Sequence, residues 1–91
     1  MTLQDALFNW LQILIVAEAR PLDEAARKTA DFFEEILRED HGLSEFEKTE
    51  ADEHRLRIDY VREGEKQSAF FDREQAQRLL ADIDSNPKYN E

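Results

Sequence analysis

The stretch Arg55-Leu56-Arg57-Ile58-Asp59-Tyr60-Val61-Arg62-Glu63-Gly64-Glu65 decides the fold of this chain. Leu56, Ile58 and Tyr60 alternate with Arg55, Arg57 and Asp59, the period of a strand with one buried face. Arg62 to Glu65 reads as a hairpin turn, and Gln67 to Phe71 as the returning strand. Upstream, Leu43 to Thr49 is a weaker third strand, because Leu43 and Phe46 are its only large apolar side chains.

Outward from the sheet the period becomes helical. Thr2 with Asp5 forms a capping pair that starts a first helix over residues 3–19. Pro21 ends it, since its ring cannot continue the backbone ladder, and is also welcome in the first turn of a helix that follows. That second helix runs to about His41, where Gly42 supplies a left-handed residue. Downstream, Asp72 and Gln75 form another capping pair. They open a short helix with Ala76, Leu79, Leu80 and Ile83 on one side, stopped by Asn86-Pro87. The expected fold is α+β in the order α-α-β-β-β-α, a small three-stranded antiparallel meander with the helices packed on one face. Residues 1–86 form one compact domain, and 87–91 a short frayed tail.

Composition narrows the function. At 91 residues the chain has room for one thin core. It has no cysteine, which removes disulfide staples and thiolate metal sites and points to a reducing compartment. Asp5 stands where a secretory signal would carry Lys or Arg, and Asn9 and Gln12 break the apolar run from Ala6 to Ala17 well short of a membrane span. A cytoplasmic protein is expected. The net charge of −10, from 22 acidic and 12 basic groups, argues against binding nucleic acid or an anionic membrane.

The two long helices differ. On the second, Leu22, Ala25, Ala26, Thr29, Phe32, Phe33, Ile36 and Leu37 fill one arc, and charges fill the other. Asp23–Arg27, Glu24–Lys28 and Glu34–Arg38 stand at i,i+4, acid first, as on a solvated face. The first helix is apolar nearly all round. Leu3, Ala6, Leu7, Trp10, Ile13, Leu14 and Ala17 hold one flank, which places Trp10 in the core. Phe8, Leu11 and Ile15 hold the other. Either this helix is sandwiched within the chain, or Phe8, Leu11 and Ile15 meet another chain, most simply a second copy in a homodimer.

No pattern carries catalytic chemistry. Ser44, Ser68 and Ser85 lack a nucleophile setting, and Gly42 and Gly64 stand too far apart to cradle a phosphate. His41 falls at the end of the second helix, where an imidazolium suits the dipole. Asp52, Glu53 and His54 make a thin metal motif. Asp82-Ile83-Asp84-Ser85-Asn86 begins like a calcium loop, but Pro87 takes the position that demands Gly. No catalytic residue, metal or cofactor is therefore assigned. The densest acid is a strip of Glu45, Phe46, Glu47, Glu50, Asp52 and Glu53. It reads as a charged sheet edge or as a docking strip for a basic partner, with Phe46 as its anchor unless that ring points into the core. The leading expectation is a non-catalytic protein-interaction module that binds another protein. The alternative is an acidic nucleic-acid mimic that blocks a DNA- or RNA-binding protein, and a small metal-dependent enzyme comes last.

Overall fold

The computed structural model describes residues 1–85. Its elements are α1 (Leu3–Ala19), α2 (Glu24–Glu39), β1 (Leu43–Glu50), β2 (Arg55–Arg62), β3 (Glu65–Asp72) and α3 (Arg73–Ser85). This is the expected α+β order, and the sheet is an antiparallel meander β1-β2-β3. The expected stop at Asn86-Pro87 and the tail beyond it lie outside the described residues.

Local chemistry sets most boundaries. The Thr2 side chain accepts a hydrogen bond from the Asp5 amide at 3.1 Å and caps α1. Asp23, not Pro21, caps α2, accepting from the Ala26 amide at 3.0 Å. The second helix therefore starts later than the proline suggests, and Leu22 is left in the connecting turn. It also stops at Glu39, so that His41 lies past the C-cap Asp40, and Gly42 adopts φ +69°. Glu63 and Gly64 both have positive φ, 53° and 77°, closing a two-residue hairpin whose twist matches its strands. Asp72 caps α3 through the Gln75 amide at 2.9 Å, with no linker after β3.

Leu56, Ile58 and Tyr60 turn toward the helices, as their alternation requires. β1 needs one further device to do the same. Its register against β2 slips between Leu43 and Glu45, so that Ser44 is an extra residue in a bulge. Without it Leu43 and Phe46 would lie on opposite faces of the sheet; with it both face the helices.

α1 is the central helix. It packs on α2 along one side and on α3 along the other. Leu7, Trp10 and Leu11 share a buried cluster with Leu37, Leu43, Leu56, Ile58, Tyr60, Phe71 and Ala76. A second cluster joins Val16 and Ala17 to Ala26 of α2 and Ile83 of α3. The sandwich reading of α1 is thus the observed one. Leu11 is 0 % exposed, which removes it from any self-association stripe. Phe8 and Ile15 are half-buried against the main cluster, the Phe8 ring lying 5.8 Å from that of Phe71 on β3.

Candidate interaction surface

The second helix distributes its apolar residues differently from the single arc expected of it. Ala26, Ala30 and Leu37 are buried, and Phe33 and Ile36 are half-buried. Leu22, in contrast, is 94 % exposed and Phe32 57 % exposed. Ala25 and Thr29 are exposed as well. The apolar arc is wider than α1 can cover. Its inner part seals the core, Ile36 packs half-buried at its margin, and its outer part, Ala25, Thr29 and Phe32, is exposed, with Leu22 exposed in the preceding turn. The Thr29 hydroxyl donates to the Ala25 carbonyl at 2.9 Å, so its polar atom is satisfied within the helix and its methyl completes the apolar stripe. Phe32 is steadied by an edge-on contact with Phe33, their centroids 5.4 Å apart. This exposed apolar flank is the candidate contact surface of the described residues.

The opposite edge of α2 is tied down. The Trp10 indole N–H donates to Glu34 at 3.2 Å, and Glu34 pairs with Arg38 at 3.7 Å. The Arg38 guanidinium sits 5.1 Å from the centroid of Phe46, which meets Trp10 edge-on at 5.0 Å. Trp10 is 3 % exposed, the core position expected of it. A cleft opens beside this group toward Tyr60 and Gln67. Its polar ends already serve one another, for the Tyr60 hydroxyl donates to Gln67 at 3.2 Å. The cluster binds α1, α2 and the sheet together.

The acidic strip does not exist as one surface. A strand turns successive side chains to opposite faces, so β1 divides the strip between them. Glu45 and Glu47 point to the outer face of the sheet. Phe46 points to the helices and is no anchor for an outside partner. Glu50 is held by Arg73 at the start of α3. Asp52 is consumed in the β1–β2 connection, where it accepts from the His54 and Arg55 amides at 2.9 and 2.8 Å and from the Arg55 side chain at 3.0 Å. Glu53 is left outside, 3.6 Å from His54. Among the described residues no three His, Asp or Glu side chains converge as a metal ion would need. On the outer sheet face Asp59 accepts from Ser68 at 2.7 Å and from Arg57 at 3.1 Å. Arg55 lies over Phe70, 4.8 Å from the ring centroid.

These contacts lower three carboxyl pKa values. The Ser68 hydroxyl, then Arg57, holds Asp59 below its ordinary value. The His54 amide, then the Arg55 side chain, does so for Asp52, and the Arg73 hydrogen bond for Glu50. A depressed folded pKa means stability that is present above the unfolded value and lost as pH falls through the folded one. Acidification below about pH 4 is therefore expected to loosen the β1–β2 connection and the outer face. Carboxyl-carbon NMR titration should place Asp52 and Asp59 below the Asp range of unfolded chain; midpoints at or above that range would refute this.

No helix among the described residues is long and apolar enough to cross a membrane. Comparison with protein families, with curated proteins and with solved structures finds no match to this chain.

Proposed function

We propose that this chain is a non-catalytic protein-interaction module of the cytoplasm, an adaptor, regulator or inhibitor, that engages another protein through the outer flank of α2. The observation that carries the reading is the exposure of Leu22 and Phe32 in line with Ala25 and Thr29, apolar surface that the described residues leave uncovered. The acidic-mimic alternative has less support. A phosphate mimic needs a uniformly negative face, whereas Glu45, Glu47 and Asp59 share the outer sheet face with Arg55, Arg57 and Lys66.

The test uses two charge insertions at exposed Phe side chains. Phe32→Lys, on the α2 flank, is expected to abolish capture of partners from native cytosol. Phe70→Lys, at a Phe 47 % exposed on the far side of the sheet, should leave capture intact. The reverse pattern would move the contact surface to the sheet.

A further inference from the structure

We infer that the occupant of the α2 flank is a second copy of this chain, packed antiparallel across a two-fold axis near residues 30 and 31. The inference rests on the reading of that flank as a contact surface and adds what lies on it.

Three features of α2 point the same way. The first is spacing. Ala25, Thr29, Phe32 and Ile36 recur on α2 at intervals of three and four, the repeat by which helices pack side by side, and Leu22 stands exposed in the turn before them. The second is size. Reversing the helix on itself sets Ala25 against the partner's Ile36 and Thr29 against the partner's Phe32. At these two layers each bulky side chain then faces a small one, which fills the seam without overpacking. A parallel pair would instead set Phe32 on Phe32 and Ala25 on Ala25, leaving one layer crowded and another empty.

The third feature is charge. Along one side of the stripe run Lys28 and Glu35, whereas Arg38 belongs to the opposite edge with Glu34 and Phe46. Read against its own reverse, this edge sets Lys28 near the partner's Glu35, a contact that occurs twice. Lys28 and Glu35 are both exposed, and neither takes part in an ion pair with the other described residues. An isologous interface needs this self-complementarity. The helical seam, from Ala25 to Ile36, spans fewer than two heptads, short of the three or four that sustain a free-standing coiled coil. The dimer is accordingly expected in the micromolar range.

Sedimentation velocity from about 1 to about 200 μM decides the matter. Wild type should pass from monomer to dimer across that range. Lys28→Glu and Glu35→Lys, each alone, turn two attractive contacts repulsive and should weaken self-association about tenfold. Mixing the two variants should restore dimers, because one Lys28→Glu chain and one Glu35→Lys chain set opposite charges together at both contacts of the antiparallel arrangement. Both charge variants are surface changes, and circular dichroism verifies their fold. A wild type that stays monomeric to about 200 μM overturns the inference, and so does a mixture no tighter than its components. If Phe32→Lys abolishes capture of a different protein while wild type remains monomeric, the α2 flank stands as a contact surface and the second copy falls. If Phe32→Lys changes neither measurement, both readings fall.

Discussion

Replacing Ile58 by Asp is expected to leave the chain unfolded at 25 °C. Ile58 is 0 % exposed at the middle of the central strand, and it faces α1. A carboxylate there would have no water and no donor. Lys48 stands opposite on β1, but its ammonium is committed to Glu18 at 3.1 Å on the rim. An unpaired charge in such a place costs several kcal/mol or becomes protonated, at a similar cost. A chain of this length holds only about 5–14 kcal/mol in total. Ile58→Val removes one methyl and should cost only about 0.5–1.5 kcal/mol, which serves as the control. Amide proton dispersion reports the result directly. A dispersed, native-like spectrum for Ile58→Asp would falsify the placement of this residue.

Leu11→Ala is expected to cost about 3 kcal/mol, within the roughly 2–5 kcal/mol range of buried Leu truncations. Leu11 has no exposed surface and lies where α1 meets the sheet in the main cluster. The cavity left behind cannot collapse easily, because α2 and α3 brace α1 from both sides. In thermal terms the loss amounts to roughly 12–24 °C of melting temperature for a domain this small. Phe32→Ala should move the melting temperature by no more than a few degrees, since most of that ring is already in water. The contrast between the two separates core from contact surface. Equal losses at positions 11 and 32 would mean that α2 sits differently on α1.

What can be read from the sequence follows the strength of local signals. The alternation of Leu56, Ile58 and Tyr60, the Glu63-Gly64 turn and the Thr2 and Asp72 caps are each settled within a few residues, and all stand in the fold. Trp10 is legible as core because its neighbours at helical spacing are all large and apolar. The failures concern how far one element covers another. A helical wheel gives the width of the apolar arc on α2 but not the width of the groove that receives it. The wheel therefore assigns Leu22 and Phe32 inward, and they lie outside. The same ignorance sends Leu11 outward, because nothing local announces that α3 returns to cover the second flank of α1. Ser44 is a further case. A bulge is invisible to a strict period of two, and only the burial of both Leu43 and Phe46 betrays it. The acidic strip fails for the opposite reason. It is a count along the chain, although the period of two that identifies β2 also divides β1.

The central position of α1 has a consequence for the order in which the molecule can be completed. α1, which leaves the ribosome before the elements that cover it, needs a floor from β2 and β3 and a side wall from α3. The α1–α2 pair and the strand meander are neighbours in sequence and can assemble as they emerge, at the ordinary elongation rate of about 5–20 residues per second. Val16 and Leu11 meanwhile stay wet for most of synthesis. Vectorial production thus holds back the seal on α1 until nearly the last described residue has arrived. A nascent chain stalled before α3 would present that apolar helix to chaperones, whereas a stall inside α3 would leave open only the cluster around Val16.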